Sequence, residues 1–77
     1  MVITVYSAPN CPWCDRVKEF LEEHKIKFKV IDVSVDENAA REMVRKSGQM
    51  GVPVTDIDGQ MVVGFNEPVL KKLLKLK

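Results

Sequence analysis

Cys11 and Cys14 are the only cysteines in the chain, and Pro12 and Trp13 alone separate them. A pair this close can form a disulfide across one helical turn, exchange it with another disulfide, or supply half of a zinc site. A structural zinc takes four ligands. The chain has no third cysteine and one histidine, His24, ten residues past Cys14. His24 reads as a solvated helix-end residue, so zinc would need a second chain or outside ligands. Two inert core thiols are the other bland reading. Against it, a C-x-x-C pair at a helix start inside a βαβ pattern is a redox signal. The spacing therefore points to thiol–disulfide exchange, with no metal at the site.

The two sulfurs are predicted to differ. With Pro12 as the first helical residue, Cys11 is the N-cap. Its sulfur can accept from the free backbone N–H groups of Trp13 and Cys14, and it faces the positive end of the helix dipole. Both effects favour thiolate, the nucleophilic form. Cys14, one turn further in on the core side, keeps its proton longer. Cys11 is expected to attack a substrate disulfide, and Cys14 then to attack Cys11 and release the reduced substrate. Pro12 removes one N–H and stiffens the turn that holds the sulfurs together.

The elements that must position this pair are legible in turn. Residues 2–6 form a β-branched run that reads as a strand, broken by Ser7-Ala8-Pro9-Asn10. A helix starts at Pro12, with Cys14, Val17, Phe20, Leu21 and His24 on one stripe and Arg16, Lys18, Glu19, Glu22 and Glu23 on the wet side. Residues 28–33 form a second strand. Ser34 and Glu37 have capping-box spacing for a second helix that buries Ala40, Met43 and Val44 and stops at Gly48. A third strand runs over 53–57, and Asp58-Gly59 turns it into a fourth over 60–63. Asn66 is the cap and Pro68 a first-turn residue of a last helix with Val69, Leu70, Leu73 and Leu74 on its apolar stripe. The order β-α-β-α-β-β-α predicts an α/β fold with a four-stranded mixed sheet flanked by three helices.

Composition narrows the function. The 77 residues make one domain, 1–77, with no linker or repeat, and a chain this short buries only about 60% of its unfolded surface. Twelve Lys and Arg against eleven Asp and Glu give a net charge of +1. Nucleic-acid binding needs a basic surplus that is absent. No run approaches the roughly 20 apolar residues of a membrane span. The first ten residues lack the basic start and apolar run of a secretory signal, so the expected location is the cytoplasm. The expected form is a monomer.

Val5-Tyr6-Ser7 leading to Cys11-Pro12-Trp13-Cys14, then Gly51-Val52-Pro53-Val54, then Val63-Gly64-Phe65-Asn66 resemble, in order, the glutaredoxins of the thioredoxin superfamily, in particular the short bacterial and archaeal glutaredoxin-like proteins. The likeness covers nearly the whole chain. It implies a thioredoxin-like fold, a cis bond before Pro53, and a rail at Val52 and Pro53 that pairs with substrate in strand-like fashion. It also implies glutathione contacts at Gly64, Phe65, Asn66 and Glu67, where backbone N–H groups at a helix start can take a carboxylate. Simple capping by Asn66 is compatible with that role, and Phe65 reads more as a core anchor than as a ligand contact. Trp13 takes the place of the family's usual tyrosine and is expected to flank the groove.

The chain departs from the glutathione-using pattern. Ala8 stands where a basic residue is usual, Asn66 and Glu67 where two acids are frequent, and Gly51 where threonine is frequent. No tightly bound cofactor is expected, and glutathione enters only as a reductant. Some redoxins that feed ribonucleotide reductase lack the same features and are recharged by thioredoxin reductase, which makes that type of reductase the alternative partner. A carrier in which two chains share an iron–sulfur cluster or zinc through Cys11 is a third reading; Pro12 argues against it, because cluster-binding relatives often have a smaller residue there. Lys71, Lys72, Lys75 and Lys77 read as a solvated helix face, with docking to an acidic partner as the sharper reading. The expected partners are otherwise disulfide-containing proteins or small molecules.

Overall fold

In the computed structural model, which describes residues 1–76, a central sheet has the strand order β2-β1-β3-β4. Its strands are β1 (Ile3–Ser7), β2 (Lys29–Asp32), β3 (Val54–Ile57) and β4 (Gln60–Val63). β1 pairs parallel with β2 and antiparallel with β3, and β3 pairs antiparallel with β4. The helices are α1 (Pro12–Glu23), α2 (Glu37–Ser47) and α3 (Glu67–Leu73). The thioredoxin-like β-α-β-α-β-β-α order read from the sequence is the observed one.

β1 is the central staple. Ile3, Val5, Tyr6 and Ser7 are all buried, because successive strand side chains point to opposite faces and both faces are covered. Ile3 and Val5 join Val17, Phe20 and Leu21 of α1 and Leu70 of α3 in the larger core cluster. Tyr6 joins Met43 of α2 and Val54 of β3 in the smaller one. The hairpin between β3 and β4 turns on Asp58 and Gly59, both at positive φ (50° and 92°), the conformation that a two-residue I′ turn demands. Asp56 Oδ1 fastens it by accepting from Gly59 N at 2.7 Å.

Three details differ from the sequence reading. The cap of α2 is Asp36, whose carboxylate accepts from Ala39 N at 2.9 Å, not Ser34. Ser34 is engaged elsewhere: Asp32 Oδ1 accepts from its backbone N at 2.9 Å and from its hydroxyl, a local turn that competes with capping. Val44 and Val69 are exposed, at 38% and 36%, and Ala40 is half-buried. α2 meets the sheet chiefly through Met43, and α3 through Leu70 and Leu74. The strand limits shift as well. Val2 lies outside the ladder, although its N donates to Asp58 Oδ1 at 2.6 Å, and Pro53 precedes β3.

A charge cluster pins α2 to β3. Lys46 Nζ reaches Glu42 at 3.3 Å and Asp56 at 3.4 Å, and Arg45 reaches Glu42 at 2.8 Å. The hydrogen bond from Arg45, with that from Lys46, holds the Glu42 carboxyl below its ordinary value. The bond to Glu42 in turn raises the Lys46 ammonium.

Candidate active site

The chain leaves β1 through Pro9 and Asn10, and Asn10 takes a left-handed φ of 57°, which asparagine tolerates better than most residues. That bend delivers Cys11 in an extended conformation as the N-cap of α1, with Pro12 in the first turn. Cys11 Sγ accepts from Cys14 N at 3.1 Å. Among the described residues the sulfur has no bond from Trp13 N, so one of the two predicted donors serves it. Cys11 and Cys14 are joined by a disulfide, with their Cα atoms 5.2 Å apart. Cys11 is half-buried, whereas Cys14 is 0% exposed. The predicted asymmetry between an accessible cap sulfur and a buried partner is present.

Beside the pair runs a slot of about 250 Å³ lined by Trp13, Val52, Pro53, Gly64 and Phe65. The lining residues come from three stretches: the start of α1, the loop before β3, and the loop between β4 and α3. Trp13, 59% exposed, projects from the first turn of α1 and stacks on Phe65, with ring centroids 6.4 Å apart. Phe65 packs edge-on against Phe20 at 5.9 Å, and Phe20 lies in the core. Phe65 is thus both the core anchor expected and a wall of the slot. The Val52–Pro53 bond is cis, as the resemblance implies. Pro53 is buried, and its carbonyl accepts from Gly64 N at 2.8 Å, which ties the rail to the exit of β4. Gly64 has φ 73° there, in the region that favours glycine. Val52 packs on the cluster of Tyr6, Met43 and Val54. Asn66 caps α3, its side chain accepting from Val69 N at 3.4 Å.

No charged side chain lines the slot. Of the cations along the helices, Lys18 pairs with Asp15 at 3.6 Å and Lys71 with Glu67 at 3.1 Å, while Arg16 lines the neighbouring hollow and not the slot. A second hollow, of about 260 Å³, shares Phe65 with the slot, lies between α1 and α3 and includes Arg16, Glu19 and Glu23; neither cysteine lines either hollow. His24, at its far end, is exposed as expected, and its Nδ1 lies 2.9 Å from Phe20 O. Among the described residues no group of three or more His, Cys, Asp or Glu could hold a metal ion. No described helix is long and apolar enough to cross a membrane. Lys71, Lys72 and Lys75 lie on and just beyond α3, and Lys77 falls outside the described residues. The left-handed Asn10 was not read from the sequence, and its signal was there: an asparagine closing a Pro-Asn turn just before the cap.

Comparison with known proteins agrees with this geometry. The Glutaredoxin family model matches residues 3–62. A glutaredoxin-like 8.6 kDa protein in the rubredoxin operon of Clostridium pasteurianum is 43% identical over 74 residues, which cover 96% of this chain and 99% of that protein. Among solved structures, a mutant form of the thioredoxin-like protein BC3987 superposes with a TM-score of 0.91 at 35% identity, covering 97% of this chain and 96% of that one. The glutaredoxin-like NrdH-redoxin of Escherichia coli, described as having a thioredoxin-like activity profile, superposes with a TM-score of 0.83 at 27% identity, covering 95% of each chain.

Proposed function

The chain belongs to the glutaredoxin family of the thioredoxin superfamily, and from that premise we propose that it reduces protein or small-molecule disulfides by a two-cysteine mechanism. The observation that carries this reading is the asymmetry of the pair: Cys11 at the helix cap with its sulfur on Cys14 N, and Cys14 fully buried behind it. In the reduced protein, the Cys11 thiolate attacks one sulfur of a substrate disulfide. A bond forms between Cys11 and that sulfur, and the other substrate sulfur leaves as thiolate and takes a proton. Cys14 then loses its proton and attacks Cys11. The bond between Cys11 and the substrate breaks, and the second substrate sulfur departs reduced. Two electrons have passed to the substrate, and the protein holds the Cys11–Cys14 disulfide. Val52 and Pro53 form the rail along which substrate backbone lies, with Pro12, Trp13, Gly64, Phe65 and Asn66 around it.

For the electron donor we favour a thioredoxin-reductase-type flavoenzyme over glutathione, which would act as a co-substrate and not as a resident group. Glutathione carries two carboxylates, and the slot offers no cation to either. Ala8 removes the usual one, Asn66 already uses the Val69 N–H, and Pro68 has none to give. The thioredoxin-like profile described for the Escherichia coli relative points the same way. An NADPH-coupled assay on one disulfide substrate tests both points. Turnover is expected with thioredoxin reductase alone, and slower turnover with glutathione and glutathione reductase. Saturating turnover with glutathione alone would reverse the choice of donor, and no turnover with either would contradict the activity.

A further inference from the structure

Thr55 is the one buried side chain among the described residues whose polar atom has no hydrogen-bond partner: Oγ1 is unpaired and the residue is 0% exposed. It sits mid-strand in β3, in register with Val5 on one side and Val62 on the other. Both neighbours belong to the core cluster that α1 completes through Val17, Phe20 and Leu21 and α3 through Leu70, so Thr55 lies on the sheet face that these two helices cover. Pro53, just before β3, lies two residues ahead of Thr55. On the facing side of α1, Cys14 lies one turn ahead of Val17 and is itself 0% exposed. Leaving a hydroxyl unpaired inside a protein costs more than an ordinary hydrogen bond contributes, so a buried orphan calls for a reason.

We propose that Thr55 is a positioning residue for the resolving thiol: its hydroxyl is unpaired while Cys14 is locked in the disulfide and pairs with the Cys14 sulfur once the disulfide opens. The proposal deepens the two-cysteine reading and rests on it for its catalytic meaning. A fully buried Cys14 has no water to hold its sulfur when it must give up its proton and attack Cys11. A hydroxyl can accept from the thiol and, after rotating, donate to the thiolate. The reaction gains no new reactant: the proton lost by Cys14 leaves with the substrate sulfur, as before. The same pairing biases the protein's own redox equilibrium, because the orphan hydroxyl disfavours the oxidised form and its hydrogen bond favours the reduced one.

The test needs no turnover. The Cys11–Cys14 disulfide is equilibrated with dithiothreitol in wild type, Thr55→Val and Thr55→Ser. Valine matches the shape of threonine and suits its apolar neighbours. Serine keeps the hydroxyl. The expected result is that Thr55→Val shifts the equilibrium toward the disulfide by about fivefold, as loss of one net hydrogen bond implies, while Thr55→Ser stays within about twofold of wild type on the same scale. An unshifted Thr55→Val equilibrium would overturn the proposal, since the hydroxyl would then see no difference between the two forms. An equal shift in Thr55→Ser would also overturn it, because packing and not the hydroxyl would be responsible. A wild-type protein that reduces no disulfide substrate would contradict the proposed function without touching this equilibrium.

Discussion

Cys11 and Cys14 share a side-chain type and differ in everything that decides reactivity. Cys11 caps a helix, and Cys14 is sealed in the core one turn later. In the reduced protein, iodoacetamide at neutral pH is therefore expected to modify Cys11 faster than Cys14 by about an order of magnitude or more, since reactive thiols are exposed and thiolate-rich and buried ones inert. Peptide mapping after brief alkylation reads the ratio, and equal labelling would contradict the asymmetry. The sequence showed most of this because capping is a local rule: a C-P-x-C run at a strand-to-helix junction defines cap, first turn and core side without tertiary knowledge. The double role of Phe65 was not legible. Whether an aromatic after a glycine anchors the core or walls a groove depends on Trp13 and Phe20, which lie about 50 residues earlier in the chain.

Among the elements, α2 shows where local rules compete. Ser34 and Asp36 are both acceptable caps, and the helix uses Asp36 because Asp32 has already engaged Ser34. Asp36→Ala is expected to lower stability by about 1 kcal/mol, and Ser34→Ala by no more than about 0.5 kcal/mol. Urea unfolding of the two variants checks the order, and the reverse order would restore Ser34 as the cap. The same helix gives a pH signature through Glu42, whose carboxyl Arg45 and Lys46 hold below the ordinary value of 4.5. A depressed carboxyl contributes stability above its unfolded value and loses it as pH falls through the folded one. Glu42→Gln should thus lower the urea midpoint at neutral pH and converge with wild type in acid. Divergence toward low pH would contradict this sign. Lys46, raised by Glu42, contributes across neutral pH and loses its share only above its ordinary 10.5. The helix itself was readable from its periodicity, but its buried face was not fully so. Val44 and Val69 obey the apolar stripe and stay exposed because short helices touch this sheet through only one or two side chains.

For the molecule as a whole, the order of elements was legible because turn signals separate each one, and the Asp58-Gly59 hairpin sets the register of its last two strands. The pairing of β1 with β3, across about 50 residues, follows from no local pattern and was not read from the sequence. The same whole-molecule view bears on the donor. The slot gathers Trp13, Val52, Pro53, Gly64 and Phe65 from three parts of the chain and brings no cation with them. Ala8→Lys should improve glutathione-dependent turnover at most several-fold, since one screened contact contributes about 0.2–1 kcal/mol. Glutathione titrations of both proteins check this, and saturation of wild type at low glutathione with no gain from lysine would show that the missing cation is immaterial. The most direct measurement of the central claim is the intact mass of reduced Cys14→Ser and Cys11→Ser after mixing with a disulfide substrate. The account predicts a stable mixed disulfide on Cys14→Ser and none on Cys11→Ser; an adduct on Cys11→Ser and none on Cys14→Ser would contradict it.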